Sequence, residues 1–365
     1  MEKVFDVVLY IILILISLLF LRKDRLKKNQ NFNFSVLYFS FIVISCSRNI
    51  GSDFNAYQNI FENIDTIPIE PIFEWIIIAL KNFGFGFRTF ILVTTLIPLL
   101  LIYPIFKNSK DKFLSFFIFL VFEYLFNQAS IIRGFWAGCF ILYAIFLYSK
   151  NKKIISFPFF LVACFSHYSS IFILILFLLK KIKMKANYFI LYLIFSIFLG
   201  LVIRGYISAF INIEINDNEN IPLVIKKLVY YIVYRQQFGV VYQNILHEII
   251  MNTIHILFFI GCAFVCLTYK CNDNTFLNNT YRLLYIATIF SAFFLSIGAI
   301  DLGIRILLLC SIGINLLYSS YIHTLNGYKK INVFYCSLIY LVIFNLSLIS
   351  YFTAIFDIKS PLYIG

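Results

Sequence analysis

The fold is decided by the stretch NQASIIRGFWAGCFILYAIFLYSK, residues 127–150, which is almost continuously apolar between its polar start and its final lysine. A run of this length and composition is typical of a helix that crosses a membrane. It carries one other charge, Arg133, and an arginine at the centre of a bilayer costs at least ~2.5 kcal/mol. Arg133 is therefore expected either to lie at the edge of the membrane or to serve a function there.

The whole chain has the composition of a polytopic membrane protein. Of its 365 residues, 62% are hydrophobic and 13% are charged, whereas about a quarter are charged in an ordinary soluble domain. The apolar runs are continuous and do not alternate as the strands of a membrane barrel do, so the predicted fold class is all-α. Because no internal repeat or linker divides residues 1–365, we predict a single transmembrane domain.

Basic residues in short loops predict how the chain threads the membrane, because such loops stay on the cytoplasmic side. Six basic clusters qualify, namely 22–28, 107–112, 150–153, 180–185, 270–282 and 329–330. Placing all six inside predicts about ten spans, near 4–21, 32–47, 89–106, 113–126, 134–149, 186–203, 249–268, 283–300, 305–322 and 331–356. Both termini then lie outside, together with two longer outward loops near 47–88 and 204–248.

The interval 154–179 does not fit a single span in this path. It is apolar throughout, yet both flanking basic clusters are placed inside, so the chain must turn round within it. Its polar interruption is SHYSS, residues 166–170, which predicts a hairpin of two short helices with His167 at the outward tip. One long tilted helix is the alternative. Two further segments, near 71–88 and 222–245, are predicted to lie at the membrane interface.

The arginines do not follow the lysines in this path. Only three of the nine arginines fall in the inside clusters, and six lie at outward positions, namely Arg48, Arg88, Arg133, Arg204, Arg235 and Arg305. A guanidinium binds phosphate in a bidentate manner and keeps its charge when buried, so these residues predict a phosphate-bearing ligand on the outward side. Next to Arg133, Asn127 and Gln128 add hydrogen-bonding groups. The alternatives are arginines that reach lipid phosphates, and structural pairs such as Asp301 with Arg305.

Other classes of function find little support in the residues. The eight cysteines show neither paired extracellular spacing nor the companion ligands of a zinc site. The net charge of +13 lies mainly in short loops, where it orients the chain and does not suggest binding to nucleic acid. His167 is a candidate for outward chemistry because the predicted hairpin places it on the side of the six arginines.

Several segments together resemble the EpsG-type, Wzy-like polysaccharide polymerases. IGSDFNAYQNIFENI at 50–64 and EPIFEWIIIALKNFG at 70–84 are similar to the opening elements of that family. The stretch from NQASIIR through FSHYSSIFIL, residues 127–174, is similar to its central pattern of an arginine, an apolar span, a basic turn and a late histidine. DLGIRILLL at 301–309 resembles its late arginine-containing span. Gly134 stands where the family often has a glutamine, so a role for an amide there does not carry over.

The resemblance implies a metal-independent glycosyltransferase that polymerises undecaprenyl-diphosphate-linked repeat units at the outer face of the cytoplasmic membrane. The product would be an O-antigen, a capsule or an exopolysaccharide. Lipid-linked donor and acceptor glycans would be the substrates, a flippase and a chain-length regulator are candidate partners, and no cofactor is expected. Fixed cations would stabilise the departing diphosphate where soluble transferases use a metal.

The resemblance also implies roles for individual residues. Arg133 and Arg305 would clamp the diphosphate. His167 would either donate a hydrogen bond to phosphate or take the proton of the acceptor, and Asp53 is the rival base. The expected substrate-binding residues are Arg48, Tyr57, Arg88, Asn127, Gln128, Arg204, Arg235 and Asp301. A flippase for the same lipid-linked units, a ligase of the O-antigen type and a structural membrane subunit remain as alternatives.

Overall fold

The computed structural model describes residues 2–23, 29–48, 54–67, 69–120, 132–173, 185–210, 245–269, 274–298 and 300–325. Nearly all of these residues are helical, and none of them lies in a β-strand. The predicted all-α class is confirmed.

The helices follow the apolar runs of the sequence. In chain order they are α1 (Glu2–Lys23), α2 (Gln30–Cys46), α3 (Phe54–Glu62), α4 (Pro71–Asn82), α5 (Phe87–Lys107), α6 (Lys112–Phe119), α7 (Ile132–Ser149), α8 (Lys153–Ser166), α9 (Ala186–Phe210), α10 (Ile245–Thr268), α11 (Thr275–Ile297) and α12 (Ile300–Thr324).

Among the described residues, five helical stretches are long and apolar enough to cross a membrane. They are Phe87–Lys107, Ile132–Ser149, Asn187–Arg204, Thr275–Ile297 and Leu302–Thr324. The predicted count of about ten spans is not confirmed, and the predicted last span, 331–356, lies outside the described residues.

The start of α11 corrects one predicted boundary. The sequence path placed a loop as far as Arg282 and a span from 283, but the helix begins at Thr275. The side chain of Asn274 accepts hydrogen bonds from the backbone N–H groups of Phe276 and Leu277, which satisfies donors that a helix start leaves free. Arg282 therefore lies inside the helix, because the asparagine cap and not the last basic residue marks its start.

Helices α9, α11 and α12 form one side of the bundle. Helices α11 and α12 are antiparallel and joined at Gly298, whose φ of 101° requires glycine. The Ser196 hydroxyl of α9 donates to the Ile289 carbonyl at 2.7 Å. Four residues further along α9, a Cβ on Gly200 would lie 1.8 Å from the Ser296 hydroxyl oxygen. Helices α9 and α11 therefore run parallel and approach so closely that only glycine fits at the contact, as in many membrane bundles.

Helices α7 and α12 are also parallel neighbours, and this relation sets the level of two arginines. A Cβ on Gly138 would lie 3.2 Å from the Leu309 carbonyl oxygen, and one turn later Leu142 lies beside Gly313. Arg133 precedes Gly138 by five residues, and Arg305 precedes Leu309 by four. The two arginines therefore lie at about the same level, at one end of the bundle.

The opposite end of the bundle gathers segments that the sequence path placed inside. Asn279 donates to the Ser149 hydroxyl at 3.0 Å, and the Ser115 and Ser319 hydroxyls are 2.6 Å apart. A cavity of about 240 Å³ at this end is lined by residues of the α5–α6 turn, the end of α7, the start of α11 and the end of α12. This grouping agrees with the predicted path.

The predicted hairpin is present in its first arm and its tip. Helix α8 ends at Ser166, His167 is extended, and helical backbone resumes at Ser170. Phe172 packs on Phe294 of α11 with ring centroids 5.8 Å apart. Further along the chain, the Tyr285 hydroxyl donates to the Lys185 carbonyl at 3.2 Å.

These two contacts give the direction of the chain after the tip. Tyr285 is nine residues nearer the start of α11 than Phe294, so the chain returns by roughly 13 Å along the bundle. A single straight helix over 154–179 is therefore wrong. Most of the second arm, 174–184, lies outside the described residues.

Helix α4 supports the prediction of an interfacial segment near 71–88. It has 12 residues and is about 18 Å long, which is too short to cross a membrane. Trp75 on this helix is 60% exposed, and tryptophan is enriched at the membrane interface. Most of the other predicted interfacial segment, 222–245, lies outside the described residues.

Candidate active site

Arg133 lies at the second residue of α7, at the end of the bundle shared with Arg305. Helix α7 is anchored there by Trp136, whose indole N–H donates to the Thr94 carbonyl of α5 and whose ring lies 5.4 Å from that of Phe73 in α4. About a third of the Arg133 side chain, 31%, is exposed. Arg133 is thus held at an anchored helix end with part of its side chain still exposed.

Tyr57 supports Arg133 from α3. The aromatic face of that helix packs on α5, where Phe61 lies 5.9 Å from Phe90, and Tyr57 itself is 2% exposed. The Arg133 Nε–H donates to the Tyr57 hydroxyl oxygen at 3.2 Å, and the guanidinium carbon lies 5.7 Å from the centre of the ring. Tyr57 therefore fixes the direction of the guanidinium by a hydrogen bond and a cation–π contact.

Glu70 is the acidic partner of Arg133, and its place follows from the local sequence. Pro71 occupies the first position of α4, where its missing N–H costs nothing, and it keeps Glu70 extended at φ −61° and ψ 143°. The Glu70 carbonyl accepts from Phe73 and Glu74, while its side chain makes no cap hydrogen bond. The carboxylate is thus left to form an ion pair, and Arg133 Nη1 donates to its Oε2.

The pair keeps Glu70 ionised. Burial opposes the charge, but the neighbouring His167 imidazole and Arg133 guanidinium outweigh it and lower the pKa of the carboxyl from 4.5 to about 2. The ionised pair therefore stabilises the fold fully above about pH 4.5, and this contribution is lost as the pH falls towards 2. At neutral pH, Glu70 is a fixed negative charge that is 4% exposed.

His167 completes the cluster from the tip of the hairpin. It is 6% exposed, and its Nδ1 lies 3.6 Å from Glu70 Oε1, slightly too far for a hydrogen bond. Helix α8 has 14 residues and runs antiparallel to α7, which has 18. Its end therefore brings His167 back to the level of Arg133 at the start of α7. Burial lowers the pKa of the imidazole; the Glu70 carboxylate acts in the opposite direction, and the charges of Arg305 and Arg133 add to the lowering. His167 is therefore neutral at neutral pH.

These residues make one site from distant parts of the chain. Tyr57, Glu70, Arg133 and His167 are joined by the contacts above, and the charge of Arg305 acts on His167 from α12. The site combines the partly exposed positive charges of Arg133 and Arg305, which can bind an anion, with a neutral imidazole, which can accept a proton. Among the described residues, no group of three histidine, cysteine or acidic side chains could hold a metal ion.

The comparison with protein families matches this chain over nearly its whole length. A model described as the EpsG family covers residues 31–360. This chain belongs to the EpsG family. Membership implies a membrane protein of the polysaccharide-polymerase type, in agreement with the apolar helices of the bundle. No curated protein and no solved structure matches the chain.

Three other arginines that the sequence singled out in this EpsG chain lie near the same end of the bundle. Arg48, two residues after the end of α2, is 2% exposed, and its carbonyl accepts from Arg88 Nη1 at 3.3 Å. Arg88 is exposed at the start of α5, with its guanidinium over the ring of Phe54. Arg204 is exposed on α9. The structure thus brings Arg133, His167, Tyr57 and Arg305 together, whereas the described contacts of Arg88 are with Arg48 and Phe54.

Five predicted site residues have no described side chain. Asp301 lies in the first turn of α12, with its side chain outside the described part, and four others lie wholly outside it, namely Asp53, Asn127, Gln128 and Arg235.

Glu70 is the site residue that sequence reasoning missed in this EpsG protein. The segment at 70–84, which opens with Glu70 and Pro71, resembles the family, but the resemblance alone assigns no role to Glu70. A signal was available, because a carboxylate directly before a helix-starting proline in an apolar segment needs a charged partner.

Proposed function

We propose that this EpsG-family protein polymerises undecaprenyl-diphosphate-linked oligosaccharide repeat units. In this function it transfers the growing glycan from its lipid diphosphate to an incoming lipid-linked unit at the outer face of the cytoplasmic membrane. The polymer would be an O-antigen, a capsule or an exopolysaccharide.

The observation that carries the proposal is the meeting of Arg133, Arg305 and His167 at one end of the helical bundle. A diphosphate esterified to both a lipid and a glycan carries two negative charges, which two guanidinium groups can match. The attraction between such charges is weak in water and much stronger at a membrane surface of lower dielectric. A neutral histidine beside them supplies the proton acceptor that a sugar hydroxyl requires.

The transfer is a substitution at the anomeric carbon of the donor. The acceptor hydroxyl oxygen forms a bond to that carbon, and the bond between the carbon and the diphosphate oxygen breaks. Undecaprenyl diphosphate leaves with the bonding electron pair, which the guanidinium groups stabilise. The hydroxyl proton passes to His167 Nε2 and then to solvent. Each turn of the reaction lengthens the glycan by one repeat unit and needs no nucleotide.

The residues around the cluster suit the two lipid-linked substrates. Arg48, Arg88 and Arg204 would attract the second diphosphate or neighbouring lipid headgroups on the same side. The exposed apolar faces of the helices leave the polyprenyl chains in contact with the bilayer. A flippase would deliver the units to this side, and a chain-length regulator would set the number of transfers.

Reconstitution of the purified protein tests the proposal. The protein in proteoliposomes, supplied with the lipid-linked repeat unit of its own cell, is expected to give a ladder that grows by single repeats and to release undecaprenyl diphosphate. EDTA is expected to leave the rate unchanged. A single transfer to a different acceptor would indicate a ligase, and movement of the substrate across the bilayer without any new glycosidic bond would indicate a flippase. Either result would contradict the proposal.

A further inference from the structure

We infer that Glu70 is the positioning residue of this site, because one carboxylate oxygen holds the guanidinium of Arg133 while the other faces Nδ1 of His167. The inference rests on the proposed function, since it concerns the same transfer. Glu70 itself does not touch the substrate: it is 4% exposed and lies behind the partly exposed Arg133.

The carboxylate joins three separate segments of the chain. It belongs to the residue before α4, and it contacts Arg133 at the start of α7 and His167 at the tip after α8. Those residues are 63 and 97 positions away in the sequence. Since Glu70 directly precedes Pro71, the first residue of α4, its carboxylate holds the guanidinium and the imidazole at the level where this short helix starts.

Glu70 and Tyr57 accept hydrogen bonds from two different nitrogens of the Arg133 guanidinium. Nη1 donates to Glu70 and Nε to Tyr57. In the proposed reaction, Nη2 would be the nitrogen that binds the diphosphate of the donor. A planar group held by two partners loses little entropy when it binds a third.

On the histidine, Glu70 selects the tautomer. A neutral imidazole carries one proton, and a carboxylate beside Nδ1 favours the form with the proton on Nδ1 and the lone pair on Nε2. The distance of 3.6 Å is longer than a hydrogen bond, and in the proposed reaction the contact would shorten as the substrate binds, as catalytic hydrogen bonds commonly do. When Nε2 takes the proton of the acceptor hydroxyl, the imidazolium lies next to the Glu70 charge.

The charges that face His167 give this role a measurable signature. Glu70 acts on it from the segment before α4, Arg133 from α7 and Arg305 from α12. Among the described residues, removal of the Glu70 charge leaves the two cations Arg133 and Arg305 acting on His167, so protonation of the imidazole becomes harder. The acidic limb of the pH–rate profile must then move to lower pH, and the rate must fall because the imidazolium is no longer stabilised.

The experiment compares Glu70→Gln with wild type, as full-length protein in proteoliposomes with the lipid-linked repeat unit. We expect kcat to fall about 100-fold and the acidic limb to move to lower pH. The matched control is Glu74→Gln, which removes an exposed carboxylate one turn later on α4 and is expected to keep the wild-type rate and profile. A lower rate with an unmoved limb, or a wild-type rate, would overturn the inference.

Two outcomes keep this test separate from that of the function itself. If wild type makes no polymer, the proposed function fails; if wild type makes polymer and Glu70→Gln gives the same profile, only the role of Glu70 fails. Should Glu70→Gln not yield folded protein, Glu70→Asp replaces it. The aspartate side chain is one methylene shorter, so its carboxylate can reach Arg133 or His167 but not both. A drop in kcat supports the inference, and a wild-type kcat overturns it.

Discussion

Replacing Arg133 by lysine is expected to lower the rate of polymer formation about 100-fold, although the charge is retained. The guanidinium binds Glu70 through Nη1 and Tyr57 through Nε, and part of its surface remains exposed. An ammonium group is a single point that cannot reach both partners and a diphosphate in the same plane. The measurement is the length distribution of surface polymer in cells that carry only the variant, together with the rate in proteoliposomes.

The matched control for this variant is Arg282→Lys. Arg282 is also partly exposed, but it lies in α11 at the opposite end of the bundle, and its buried Nε has no hydrogen-bond partner. The control is expected to keep the wild-type chain lengths. If Arg133→Lys also supports the full chain-length distribution, bidentate recognition of phosphate by this arginine is wrong.

Replacing His167 by glutamine is expected to reduce kcat by at least about 100-fold, because an amide cannot take a proton at neutral pH. In wild type, the rate should fall as the pH is lowered and the imidazole becomes protonated. Since burial lowers the pKa of His167, this limb should lie below the ordinary value of 6.5. The variant should lose the limb altogether, as measured by its pH–rate profile in proteoliposomes.

His323→Gln provides the control for this change. His323 is exposed in the last turn of α12, far along that helix from Arg305, so the substitution should leave the rate and its profile unchanged. If His167→Gln instead retains the wild-type rate and limb, the proton acceptor is another group. Asp53→Asn would then be the variant to measure, because Asp53 is the rival base.

Some features of this bundle could be predicted from local sequence because local forces decide them. Basic residues at 150–153 predict a turn between α7 and α8, and the polar residues SHYSS predict a second turn. The structure has a turn at both places. The start of α11 was misplaced because a basic residue was taken as the loop boundary. Asn274, a strong helix-capping residue, was the better local signal.

The site could be predicted only as a collection of candidates. Arg133, Tyr57, His167 and Arg305 were each singled out, but which of them meet depends on the close packing of α7 with α12 and of α3 with α5. Glu70 was missed because its two partners are far away in the chain. No periodic pattern links residues that meet through tertiary contacts, so the ion pair at the centre of the site required the structure.

The most direct test of the account is a cryo-EM map of the protein in lipid nanodiscs with undecaprenyl diphosphate bound. We expect the diphosphate oxygens to lie about 3 Å from the Arg133 guanidinium, on the side of His167 and Arg305. Glu70 should remain behind the arginine. A diphosphate bound at the opposite end of the bundle, or away from Arg133 altogether, would contradict the account.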